Sequence, residues 1–213
     1  MNPWAAITRP VLRRIERSLL AHSRPLPAPP VFILGPPRAG TTLLYQILTH
    51  CFEFAYFCNY AAERSRYPAT ATWLLRRQIR SYAGEFTNEY GKTPGIAGPS
   101  EALDLWRRWF PTDRHYADEG RVSASGAEEM RRTVAAVAGI LDAPFLSKDP
   151  VHSVRVRALN EIFPNSLFLY MHRDPEATAE SMLRIREGRA RTGVGDVTTW
   201  MHVKPREYDL LVG

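Results

Sequence analysis

Residues 31–48 read VFILGPPRAGTTLLYQIL. An apolar run, Val31–Leu34, meets a Gly/Pro-rich turn, Gly35–Gly40. Thr41 and Thr42 follow and open an amphipathic segment. The pattern is that of a buried strand, a loop and a helix start. Such a junction aims several backbone N–H groups at one spot, where the positive end of the helix dipole adds to them. It is an anion cradle, suited to phosphate or sulfate. The spacing G-x-x-x-x-G-x-[ST] is that of a P-loop, except that Thr41 stands where the lysine is expected. Without that lysine the loop is poorly equipped for the outer phosphates of a nucleoside triphosphate. Arg38, inside the loop, supplies a cation from another direction.

A chain of 213 residues fits one α/β domain with a real core. Its composition is ordinary for a globular protein. The net charge is +6, which suits an anionic ligand and equally a solvated basic surface. No nucleic-acid reading motif is present, and the basic residues are spread along the chain, so a nucleic-acid partner is not expected. Only Lys92, Lys148 and Lys204 are lysines; arginine carries the rest of the positive charge. Cys51 and Cys58 are too few for a disulfide framework and do not form a C-x-x-C pair. Both are expected as small buried residues, in a reducing, cytoplasmic compartment. No apolar run is long enough to span a membrane, and the N-terminus lacks a signal-peptide core. Residues 4–21 read as a basic amphipathic helix interrupted early by Pro10. Packing on the domain is the favoured role for it, with peripheral membrane contact as the alternative.

Residues 1–30 are read as this helix plus a proline-rich linker, Arg24–Pro30, and 31–213 as one α/β domain. Helices are expected at 42–50, 70–82, 101–110 after an N-cap at Ser100, about 125–141 with Glu128 and Glu129 in the first turn, 151–163, and 175–187 with Pro175 first. Strands are expected at 31–34, 52–57, 145–147 and 166–171, and loops at 84–99 and 188–195. Strands alternating with helices imply a central parallel sheet flanked by helices, with ligands at the carboxyl ends of the strands. The loops after Leu34, Ser147 and Met171 should then converge, bringing Arg38, Lys148 and Arg173 together.

Arg173 follows the strand in LFLYMHRDPEATAESML, residues 167–183, and Ser181 lies eight residues later. An arginine fork and a hydroxyl one to two turns into a helix can share one phosphate. Asp174 is placed to cap that helix. In FLSKDP, residues 145–150, Lys148 can put a point charge on a bridging oxygen.

Together, GPPRAGTTL and KDP…FPNSLFLYMHRDP…S resemble the nucleotide-dependent sulfotransferases, in the branch of the protein-tyrosine and bacterial carbohydrate and small-molecule enzymes. The resemblance covers residues 31–48 and 145–186 well and the middle loosely. It implies a three-layer P-loop NTPase-like α/β domain. The donor implied is 3′-phosphoadenosine-5′-phosphosulfate, used without a metal. The acceptor implied is a hydroxyl group: carbohydrate, small molecule or tyrosine-like. On that resemblance Arg38, the N–H groups of Ala39, Gly40, Thr41 and Thr42, and both threonine hydroxyls would hold the 5′-phosphosulfate. Lys148 would stabilise the leaving phosphate oxygen, and Arg173 with Ser181 would bind the 3′-phosphate. Sulfuryl transfer moves less negative charge than phosphoryl transfer, so amides and cations can suffice.

A hydroxyl acceptor needs a general base. Glu101 in GPSEALDLW is favoured, with its role as a first-turn helix residue as the competing explanation. Glu63 is the second candidate, a few residues beyond Asn59, where the tyrosine-sulfating relatives carry their base; His152 is a third. Phe57, Tyr60, Tyr67, Trp73, Trp106 and Trp109 are candidates for an acceptor wall. Family members continue past the Arg–Ser block with helices over the nucleotide, whereas here WMHVKP, residues 200–205, is followed by few residues. A C-terminally truncated domain, a fragment and a minimal enzyme stay open. Two rivals remain: a degenerate P-loop NTPase or kinase, with Asp149 on magnesium, and a non-catalytic nucleotide-binding module.

Overall fold

The computed structural model describes residues 3–84, 86, 93–111 and 115–192. In chain order the elements are α1 (Pro3–Ala21), β1 (Val31–Leu34), α2 (Thr41–Cys51), α3 (Asn59–Glu63), α4 (Pro68–Arg80), α5 (Leu103–Trp106) and α6 (Ala124–Leu141). Then come β2 (Leu146–Lys148), a 3₁₀ turn (Pro150–Val154), α7 (Val156–Ile162), β3 (Leu167–Tyr170) and α8 (Pro175–Thr192).

The fold is α/β, with three parallel strands in the order β2-β1-β3 and helices around them. β1 is buried along its whole length, as its unbroken apolar run requires of a central parallel strand. Its register pairs Ile33 with Lys148 on one side and with Leu169 on the other, so all three strands end at one level. Residues 52–57 do not form the expected strand. A single parallel bridge, Ala55 to Phe145, is all that they add beside β2. Ala55 donates to Pro144 O and accepts from the amide of Leu146, both at 2.8 Å. β3 lies at the other edge and exposes Leu167, Leu169 and Tyr170, while Phe168 turns inward and stacks on Phe32.

The core joins both sides of β1. Phe32 meets Trp106, His152 and Phe163, and Phe57 meets Trp106 and Phe145. α6 contributes Met130, Val134, Val137 and Leu141 at helical spacing. α1 packs on α4 and α6. Its one acidic residue, Glu16, is buried and accepts from the Ala69 amide at 3.1 Å and from the Thr70 amide and hydroxyl, each at 2.7 Å. It thus caps α4 from another helix, at an end whose own cap residue, Tyr67, makes no side-chain cap.

Several local expectations change. α1 continues through Pro10: the missing N–H removes one helical bond, and the turns after it are held by packing on α4 and α6. α5 begins later and is shorter than expected, because Ala102 is left-handed (φ 51°) and Ser100 Oγ accepts its amide at 3.2 Å in a tight turn. Ser123 caps α6, so Glu128 and Glu129 fall beyond the first turn. The stretch 151–163 divides into the 3₁₀ turn and α7, and α8 runs to Thr192 where a loop was expected from 188. Cys58 is buried but Cys51 is exposed. The segment 200–205 lies outside the described residues.

Candidate active site

The loop Gly35–Gly40 leaves β1 at the level where β2 and β3 also end. Gly35 has φ 148°, and a Cβ there would stand 2.9 Å from Met171 O and 3.0 Å from Thr41 Cγ2. Arg38 is left-handed at φ 71°, and Gly40, also left-handed, opens α2. Successive turns of this kind gather amides into a concave anion site. The amide of Ala39 is spent on Pro36 O at 3.1 Å, and the first helical bond to Gly40 O comes from Leu44. Among the described residues the amides of Gly40, Thr41 and Thr42 have no internal acceptor. Thr41, at the position of a P-loop lysine, is buried with its methyl under the loop.

A cation reaches the loop from β2. Lys148, 3 % exposed in its side chain, donates from Nζ to Thr42 Oγ1 at 2.9 Å and is ion-paired with Glu101 Oε1. Glu101 is 22 % exposed and lies in the turn before α5. That turn is fixed from outside: the Ser100 amide bonds Phe57 O, Cys58 bridges to Pro99, and Thr93 Oγ1 donates to Pro99 O. The helix-stabilising explanation for Glu101 therefore lapses, since it precedes the helix and its carboxylate turns to the sheet.

On the other flank, Arg38 Nε donates to Ser181 Oγ at 3.1 Å across 143 residues of chain. Arg173 donates to Arg38 O at 2.6 Å. Asp174 caps α8 by accepting the Ala177 amide at 2.8 Å. The strand-end convergence read from the topology thus brings Arg38, Thr42, Lys148, Arg173 and Ser181 around one loop, with Glu101 beside Lys148.

The other candidates are placed differently. Glu63 is exposed at the end of α3 and meets none of these groups among the described residues. Asn59 pins the neighbouring loop through Thr93 O and Gly95 O. His152 is a core residue, edge-on to Phe32 and Trp106, and burial holds its imidazole well below its usual pKa. Phe57, Trp106 and Trp109 are core as well, which removes them from the acceptor wall; Trp73 is exposed on α4. Asp149 is buried, caps the 3₁₀ turn through Val151, and leaves Oδ2 without a partner. Burial, and then the charge of Glu101, pushes its pKa up to about 6.

The sequence reading missed Ser153. Its hydroxyl accepts the Gly35 amide at 3.0 Å and donates to Gly35 O at 3.3 Å, fixing both backbone groups of the first loop glycine. Nothing local marks a serine inside an apparently helical stretch for that task.

The arrangement offers free amides, cations on two flanks and a carboxylate beside one of the cations. This chemistry suits transfer of an anionic group from a doubly anchored donor. Comparison with known proteins bears on it directly. Residues 29–211 match the model of the sulfotransferase family. The chain is 24 % identical over 205 residues to the omega-hydroxy-beta-dihydromenaquinone-9 sulfotransferase Stf3 of Mycobacterium bovis, and equally to that of Mycobacterium tuberculosis. Each alignment covers 84 % of this chain and 49 % of the relative, so the chain spans about half the length of the curated relatives it matches. No solved structure matches it. With the match running from just ahead of β1 past the end of α8, the chain belongs to the sulfotransferase family.

Proposed function

We propose that this chain transfers a sulfuryl group from 3′-phosphoadenosine-5′-phosphosulfate to an acceptor hydroxyl by in-line displacement. The observation that carries the reading is the contact of Lys148 with both Thr42, at the anion loop, and Glu101. A carboxylate joined through Lys148 to the start of α2 supports the reading of Glu101 as the base. The amides of Gly40, Thr41 and Thr42, with Arg38, hold the 5′-phosphosulfate, and Arg173 and Ser181 hold the 3′-phosphate. When donor fills the loop, Lys148 turns from Glu101 to the bridging oxygen. Glu101 is then free to accept the proton of the acceptor hydroxyl as its oxygen bonds to sulfur. The bond from sulfur to the bridging oxygen breaks, and 3′,5′-adenosine bisphosphate leaves with the electron pair. Backbone amides and fixed cations carry the charge developing on that oxygen.

The relatives named for a hydroxylated menaquinone favour an alcohol acceptor. The first test is calorimetric titration with 3′,5′-adenosine bisphosphate, 5′-AMP and ATP–magnesium. The reading requires the bisphosphate to bind at least about tenfold tighter than 5′-AMP, a gap of about 1.4 kcal/mol. Preference for ATP–magnesium would move the site to phosphoryl chemistry. Glu101→Gln should leave bisphosphate affinity unchanged and abolish turnover; parallel loss of both would remove Glu101 as the base.

A further inference from the structure

The basic residues are spread along the chain, but the net charge is not. Residues 1–30 hold Arg9, Arg13, Arg14, Arg17 and Arg24 against the single acid Glu16, and so account for most of the net charge of +6. Glu16 is drawn inward to cap α4, and all five arginines are exposed. None of the five has a carboxylate partner among the described residues. Glu128, which lines the same cleft as Leu20 and Arg24, is already paired with Arg131 and Arg132, and Glu129 with Arg108.

α4, on which α1 packs, contains no acidic residue. It exposes Trp73 and Leu74 beside Arg77, and Arg76 lies over the Trp73 ring at 5.1 Å. On α1, Val11 is 55 % exposed among the arginines. Unpaired arginines interleaved with exposed aliphatic and indole side chains suit an anionic surface that also has an apolar interior. A polyanion in water would reward the charges but not the exposed Trp73, Leu74 and Val11.

We infer that α1 and the exposed face of α4 dock this protein on the surface of an anionic lipid bilayer. The arginines meet lipid phosphates, and Trp73, Leu74 and Val11 enter the headgroup boundary. The inference does not depend on the sulfuryl-transfer reading, because the readout is partitioning and not turnover.

The test is co-sedimentation of the full chain with vesicles of phosphatidylglycerol and phosphatidylcholine, against vesicles of phosphatidylcholine alone. Binding is expected on the anionic vesicles only, falling as salt is raised over the range in which the Debye length contracts. Replacing Arg13, Arg14 and Arg17 together by glutamine should weaken partitioning about a hundredfold, at roughly fivefold for each arginine near the surface. The matching triple lysine variant should retain it. Trp73→Ala should weaken partitioning several-fold and leave its salt dependence in place. Equal binding to neutral vesicles, salt-independent binding, or no effect of the glutamine variant would overturn the inference. So would retention on heparin or single-stranded DNA without partitioning onto vesicles, which would make the patch a polyanion site.

Discussion

Lys148 and Arg173 are cations at the ends of the two strands that flank β1, in contrasting settings. Lys148 is almost wholly buried and holds two partners, whereas Arg173 is exposed and donates to the backbone of the anion loop. If Arg173 binds the 3′-phosphate, Arg173→Ala should weaken 3′,5′-adenosine bisphosphate by about 1.5–3 kcal/mol, the range of a charged hydrogen bond, and leave 5′-AMP unchanged. Titration calorimetry on both ligands separates this from general loosening of the loop, which would weaken them together. Ser181→Ala should cost about 0.5–1.5 kcal/mol in the same assay, as a neutral hydroxyl does. Arg173 and Ser181 were expected together because they stand on one strand–helix unit; in the structure each meets Arg38, Arg173 at its carbonyl and Ser181 at its Nε. The bond from Arg38 to Ser181 was not legible, because the chain between them carries no local signal of it.

Among the elements, the junction of β1 and α2 is held by contacts from two other segments. Met171 O closes over Gly35, and Ser153 holds its amide and carbonyl. Gly35→Ala would place a Cβ 2.9 Å from that carbonyl at a φ that L-residues avoid. It should destabilise the fold by about 2 kcal/mol or more in urea unfolding and weaken anion binding as the loop shifts. A second junction joins α1 to α4. Glu16→Ala leaves two amides and a hydroxyl without their acceptor and should cost about 1–3 kcal/mol, with Glu16→Gln costing less because one side-chain oxygen still accepts. The apolar run 166–171 gave β3 its position in the chain but not its exposure. The strand order β2-β1-β3 puts it at an edge, and a strand buried on both faces and an edge strand can share one apolar pattern.

For the molecule as a whole, Asp149 links stability to pH. Its folded pKa of about 6 lies above the ordinary value of 3.8, because burial and Glu101 oppose its charge. The unfolded chain therefore releases this proton first, and the native state binds more protons between the two values. From this group, stability is highest below the unfolded pKa and is lost as pH rises towards about 6. Asp149→Asn removes the titration, so the difference in urea midpoint between the variant and the wild type should move in the variant's favour from about pH 4 to about pH 7. Glu101→Gln should shrink the same window, since the Glu101 charge is the second cause of the shift.

The sequence alone determined what acts over a few residues. Apolar runs and glycine and proline placement set β1, the anion loop and α2, and the Asp174–Pro175 start of α8. Parallel alternation then brought three strand ends to one side. Tertiary structure decided the pairings across the chain. It joined Lys148 to Glu101, spent the Ala39 amide inside the loop, sent His152 and Trp106 into the core, and turned Glu16 inward so that the arginines of α1 face outward alone. Periodicity, caps and turns are fixed by neighbours within about one helical turn, whereas a buried polar group takes whichever partner packing brings within hydrogen-bond reach.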